Sequence, residues 1–269
     1  METNSRPDAL TTAEVLEKVL SGAVVKTSLP LGRQLPLAFL AGLYIGLGGL
    51  FATLFFSDAS LSFAVQRFGA GAVFSLGLSL VLIAGAELYT GNTMIAAGAA
   101  EGRITWGATF LNWVRVWLGN ALGALTLVAL VFFAHTADLG PMANGMLGVA
   151  ASKLSAGWFT IFVKGILCNL LVCLGVWMGY AGRSVADKVL GVLLPVSAFV
   201  ALGFEHCVAN LYFLPLSMVL SASGYVVEGI DPALFTWANV AKNLTAATLG
   251  NTVAGVTLAM LYRAACAKR

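Results

Sequence analysis

The apolar residues of this chain fall into about six blocks of 20 or more, and a block of that length has few options. At a rise of about 1.5 Å per residue, roughly 20 helical residues cross a hydrocarbon core of about 30 Å. Lipid offers no partners for backbone N–H and C=O groups, so such blocks cross as helices. The charge content agrees. Only 10% of the 269 residues are charged and 59% are apolar, against roughly 25% and 45–50% in an average soluble domain. The sequence predicts an all-α polytopic membrane protein with spans near 35–56, 68–99, 107–134, 156–180, 189–222 and 238–262.

Several classes drop out. The fifteen Lys and Arg residues are scattered singly, with no basic stripe to track a phosphate backbone, so no nucleic-acid partner is expected. No dinucleotide fingerprint, phosphate loop, nucleophile elbow or zinc-protease helix is present, so the chain does not read as an enzyme and needs no cofactor or metal. Cys168, Cys173, Cys207 and Cys266 lack ligand spacing and read as small packing residues.

Ahead of the spans, Thr11 and Glu14 fit a capping box, and Val15, Val19, Leu20, Ala23 and Val24 recur at helical spacing. This predicts an amphipathic helix lying on the membrane or packed under the bundle. Six spans with the N-terminus inside place Arg6, Lys18, Lys26, Arg33, Arg103, Arg183, Lys188, Arg263, Lys268 and Arg269 in the cytoplasm, and only Arg67 and Lys153 outside. Basic residues in short loops stay cytoplasmic, so both termini are expected there. The expected organisation is a cytoplasmic segment 1–34, a transport domain 35–262 and a cytoplasmic tail 263–269, in a plasma (inner) membrane.

Two spans are long, and they share a pattern. Gly85, Glu87 and Asn92 in the second are matched in spacing by Gly203, Glu205 and Asn210 in the fifth, and Leu118-Gly119-Asn120 in the third by Leu249-Gly250-Asn251 in the sixth. This predicts two three-helix repeats, about 35–134 and 156–262. An odd number of spans per repeat inverts the second relative to the first. The shared Gly, Glu and Asn suit helices broken in mid-membrane, whose half-helix N-termini face the centre and favour an anion or polar solute.

His206 is the only histidine within a span. It either exchanges a proton with a passing weak-acid anion or hydrogen-bonds the broken backbone. Phe199, Leu202 and His206 at i, i+3 and i+7, with Phe74 and Leu78 at i, i+4, read as constrictions or as ordinary packing. Thr90 offers a hydroxyl at a break. Glu87 and Glu205 read as acceptors of backbone N–H groups that fix the kink, with proton relay the alternative. Asn169 and Val172 share a face, whereas Lys164 lies about 140° round that helix at ~100° per residue. Lys153 is placed to concentrate anions at the outer mouth.

The stretches Ala86-Glu87-Leu88-Tyr89-Thr90-Gly91-Asn92, Lys164-Gly165-Ile166-Leu167-Cys168-Asn169, Gly203-Phe204-Glu205-His206-Cys207-Val208-Ala209-Asn210 and Leu249-Gly250-Asn251-Thr252 resemble the formate/nitrite transporter family, with the likeness running from about residue 10 to residue 263. The resemblance implies an aquaporin-like fold with broken second and fifth helices, in a homopentamer with one pore per protomer in a lipid bilayer. The implied cargo is a small monovalent weak-acid anion such as formate, nitrite or hydrosulfide, with protons. It makes His206 the central pore histidine and Thr90 the hydroxyl facing it. It places Phe74, Leu78, Phe199 and Leu202 at a cytoplasmic-side constriction and Leu88 and Val172 at an outer one. Asn169, Glu205, Asn210 and Asn251 match polar positions near the breaks, beside Glu87 and Asn92, and Lys153 matches a vestibule lysine. Tyr89 departs from the Phe of formate-type members. Formate is the favoured anion, on Gly179 to Lys188 and Phe213-Leu214-Pro215-Leu216.

Two rivals carry less. A water- or glycerol-type channel would share inverted repeats, but neither break carries Asn-Pro-Ala. An intramembrane enzyme using Glu205 and His206 would need both on one atom, yet adjacent helical residues point about 100° apart.

Overall fold

A computed structural model describes residues 9–267, so Arg6, Lys268 and Arg269 of the charge argument lie outside the described residues. The chain is helical throughout its described elements. Thr12–Ser28 forms α1, Leu31–Phe56 α2 and Phe63–Leu80 α3, which runs into a π turn at Val81–Gly85. Tyr89–Asn92 (α4), a 3-10 turn at Thr93–Ile95 and Ala96–Ala100 (α5) complete that segment. Trp106–Phe133 is α6, Met142–Ser155 α7, Trp158–Ala181 α8, Val185–Ala201 α9, Cys207–Ala222 α10 and Trp237–Cys266 α11. Among the described residues five helices are long and apolar enough to cross a membrane, and α10 is a shorter apolar one.

Local chemistry sets the ends. Glu14 N–H donates to Thr11 Oγ1 while Glu14 Oε2 accepts from Thr11 N at 2.8 Å, which is the capping box read from the sequence. Ser184 and Asp187 make a second one at the start of α9. The apolar stripe of α1, Val15, Leu16, Val19, Leu20 and Ala23, is buried. That helix packs under the bundle, with Leu10 N donating to Ala181 O at 3.0 Å and Lys18 Nζ to Tyr180 O at 2.9 Å. Arg103 forks onto Glu17 and Arg263 reaches Glu101, so α1 and the end of α11 share one face, here the terminal face. The opposite face carries α7, a helix in the connection between the third and fourth apolar blocks, where Lys242 Nζ donates to Leu154 O at 2.8 Å.

Glycine lets the long helices approach closely, as small residues do where lipid supplies no drive for association. A Cβ on Gly42 of α2 would lie 1.9 Å from Asn120 O of α6, and one on Gly250 of α11 2.2 Å from Phe162 O of α8.

The interruptions are not where a mid-membrane break was expected. Phe63–Gly85 spans 23 residues, about 35 Å at 1.5 Å per residue, which is a full crossing on its own. Gly85, at φ +87, takes the left-handed conformation a side chain resists, and Ala86 is extended. The chain then returns inward before descending through α4 and α5. On the other side α9, shorter at 17 residues, ends at Ala201. The turn at Gly203, φ +68, brings residues 204–206 back before α10 starts.

Candidate functional site

Both returning loops are held by the same set of bonds. Glu87 N donates to Leu37 O at 3.1 Å, and Glu205 N to Lys164 O at 3.3 Å. Glu87 pairs with Lys26 at 2.6 Å and accepts from Asn92 Nδ2 at 2.7 Å. Glu205 pairs with Lys153 at 3.0 Å and accepts from Asn210 Nδ2 at 2.7 Å. Asn92 donates on to Asn112, which donates to Lys26 O; Asn210 donates on to Asn243, which donates to Lys153 O. Asn120 Oδ1 accepts from Tyr89 N while its Nδ2 donates to Ala38 O and Glu87 O. Asn251 Oδ1 accepts from Cys207 N while its Nδ2 donates to Gly165 O and Glu205 O.

Two expectations change here. The carboxylates accept from lysine and asparagine side chains rather than from backbone N–H groups, because those N–H groups are taken by carbonyls and amide oxygens. Lys153 does line the cavity on the α7 face, but its charge is spent on Glu205, with side chains 14% and 2% exposed. Sequence reasoning missed Lys26, Asn112 and Asn243. Their signal was present: Asn112 precedes Asn120 by the interval that separates Asn243 from Asn251, and Lys26 precedes Leu37 by the interval from Lys153 to Lys164.

Two cavities approach the loops from opposite faces. One of about 200 Å³ opens on the α7 face and is lined by Arg67, Phe74, Lys153, Phe199, Glu205 and His206. The other, about 270 Å³, opens on the terminal face and is lined by Lys26, Glu87, Leu88, Asn92 and Tyr180. Phe74 and Phe199 meet edge to face with centroids 5.6 Å apart, and Phe199 stacks on His206 at 5.7 Å. This reverses the expected sides. Phe74 and Phe199 belong to the face away from the termini, and Leu88 to the terminal face, because α3 runs from the α7 face and reaches Leu88 only after its turn. Leu202 is 63% exposed and lines neither cavity, since α9 stops at Ala201 and helical spacing cannot be carried through to His206. Leu78 and Val172 are buried.

His206 is the N-cap of α10. Its Nδ1 accepts from Ala209 N at 3.1 Å, so in the neutral ring the proton sits on Nε2, which faces Thr90 Oγ1 at 3.2 Å. Thr90 is pinned through its carbonyl, which accepts from Thr93 Oγ1 at 2.6 Å and Asn169 Nδ2 at 3.2 Å. Asn169 Nδ2 also reaches Asn251 O of α11 at 2.6 Å, and the Asn251 side chain holds the second loop at Cys207 N and Glu205 O. Of the two sequence readings, hydrogen bonding to the broken backbone is seen at Nδ1, while Nε2 faces Thr90. Asn120 and Asn251 occupy the first N–H of each inner helix end, and His206 Nε2 and the Thr90 hydroxyl face each other beside them.

Comparison with known proteins matches residues 13–265 to a family model described as formate/nitrite transporter. The formate channel FocA of Haemophilus influenzae is 34% identical, over 92% of this chain and 91% of that protein. The nitrite transporter NirC of Salmonella typhimurium is 37% identical, over 84% and 80%. A solved pentameric formate channel with formate bound superimposes with a TM-score of 0.79 at 33% identity, covering 87% of this chain and 97% of that one.

Proposed function

The chain belongs to the formate/nitrite transporter family, and from that premise we propose that it carries small monovalent weak-acid anions, formate first among them, across the plasma (inner) membrane through one pore per protomer of a pentamer. The observation that carries the proposal is the setting of His206, buried at the inner end of the α7-face cavity, behind Phe74 and Phe199 and against Thr90. The paired bonding sets around Glu87 and Glu205 support reading the helices as two inverted three-helix repeats in an aquaporin-like arrangement, the α9–α10 pair making the fifth of six spans. Basic residues on the terminal face, Lys18, Arg33, Arg103, Arg183, Lys188 and Arg263, support placing that face in the cytoplasm. Phe74 and Phe199 then narrow the outer approach and Leu88 the inner one, with Leu78 and Val172 packed beside the path. Glu87, Asn92, Glu205, Asn210 and Asn251 hold the loops, and Asn169 bonds the Thr90 and Asn251 carbonyls.

The physical problem is the cost of a bare anion in an apolar constriction, several kcal/mol or more, against far less for the neutral acid. His206 Nε2–H offers the anion a hydrogen bond at that point, and a proton from hydronium in the cavity goes directly to the anion so held, leaving water behind and the ring neutral throughout. Movement is then proton-coupled at low pH and channel-like at higher pH. Nitrite has the same bent two-oxygen shape, and the identity to NirC favours it as the second cargo. Flux of formate and nitrite into proteoliposomes at two pH values tests the reading. His206→Asn should abolish the pH dependence and leave an anion leak, and an unaltered pH profile refutes the role of the imidazole.

A further inference from the structure

We infer that Arg67 captures bent two-oxygen anions at the α7-face mouth, ahead of the His206 centre; the inference rests on the anion-pore reading above. Arg67 lies on the second turn of α3, half-buried, and lines the same cavity as Lys153, Glu205 and His206. Because Lys153 and Glu205 cancel one another, the remaining positive charge of that cavity belongs to Arg67. Among the described residues its guanidinium makes no ion pair. Asp58, on the turn before α3, spends its carboxylate on the Ser60 N–H and hydroxyl.

The guanidinium is held instead by aromatic faces, its central carbon 5.5 Å from the centroids of both Phe56 and Phe63, a cation–π seat that leaves the N–H edge open. Gly203 faces that edge. An added Cβ there would lie 3.7 Å from Nη1, so the absence of a side chain keeps the approach clear.

The terminal-face cavity has no equivalent. Its lining charges are Lys26 and Glu87, which pair with each other. Carried back from the Gly85–Gly203 match, the α9 position that corresponds to Arg67 is Val185. The two mouths therefore differ by one uncompensated guanidinium.

The planar fork of a guanidinium matches two oxygens on one atom, as in formate and nitrite, and an ammonium does not reproduce that match. A near-spherical ion such as hydrosulfide gains only the charge. Formate and hydrosulfide currents are measured across planar bilayers containing the purified protein, Arg67→Gln and Arg67→Lys, with the anion raised on each side in turn. Arg67→Gln should raise the half-saturating formate concentration about tenfold from one side only, with the maximum current retained. Arg67→Lys should restore the hydrosulfide value but not the formate value. Arg67→Gln unchanged, shifted equally from both sides, or reduced in maximum current at constant half-saturation overturns the inference, as does full restoration of formate by Lys. A wild-type protein that passes no formate current overturns the pore reading itself.

Discussion

Replacing Lys153 by Met strips the cation from a carboxylate that sits 2% exposed. Removing one partner of a buried pair costs about 3–5 kcal/mol, because the surviving charge stays out of water. Glu205 would keep two amide donors, Asn210 at 2.7 Å and Asn243 at 3.3 Å, which puts Lys153→Met near the lower bound, about 3 kcal/mol or roughly a hundredfold in the folding equilibrium. The double variant Lys153→Met with Glu205→Gln removes both charges and leaves an amide that the same asparagines can meet. It should therefore lie about 2 kcal/mol closer to the wild type than the two single effects added together. The matching change Lys26→Met should cost less, since that pair is 20% and 8% exposed and water can reach Glu87. Unfolding equilibria in mixed detergent, followed by circular dichroism, give all four values in one double-mutant cycle and its comparison. An additive cycle, or a Lys153→Met variant within 1 kcal/mol of wild type by the scale of an exposed pair, would show that the ion pair does not hold the loop.

Further perturbations reach other parts of the structure. Gly42→Leu drives a side chain into the Asn120 carbonyl and should lower the unfolding midpoint sharply, by an overpacking cost of about 3 kcal/mol; a midpoint equal to wild type contradicts the close α2–α6 contact. Thr11→Ala removes the cap of α1, a loss of about 1 kcal/mol, visible as faster amide exchange confined to the first turn of that helix. Glu17 is held below the ordinary carboxylate range by its hydrogen bond to Arg103. Its contribution to docking α1 is therefore complete above the ordinary value of 4.5 and is lost as pH falls through the lowered one. Amide exchange of α1 at pH 7 and in acid should show this, and Glu17→Gln should remove the difference. Thr90→Val takes away the hydroxyl opposite His206 Nε2 and should slow formate flux while leaving the fold, read by circular dichroism, intact.

Much of this was legible in the residues, and the failures share a cause. Apolar blocks and the Thr11–Glu14 box are local patterns, and the helices they predict are present; the paired Gly, Glu and Asn spacings mark the two loops. Leu202 was misplaced because helical periodicity was extended across Gly203, whose positive φ turns the chain. Phe74 and Leu88 fall on the faces opposite to those expected because α3 and its π turn run 23 residues before the chain turns, so the chain reaches Leu88 at the opposite end from Phe74. The partners of Glu87 and Glu205 were missed for a different reason. Lys26 and Lys153 come from helices outside the spans, and a pairing over that distance leaves no trace in local hydropathy. Only the repeated interval between each lysine and its span records it.

The two bonding sets agree in every lysine, glutamate and asparagine, yet the residue that opens each inner helix is Leu88 in one and His206 in the other. A solute travelling one way thus meets grease before imidazole, and travelling back meets them in the opposite order. That unlike seat adds to the difference Arg67 and the two phenyl rings make between the mouths, so matched scaffolding carries a path whose two ends are chemically distinct.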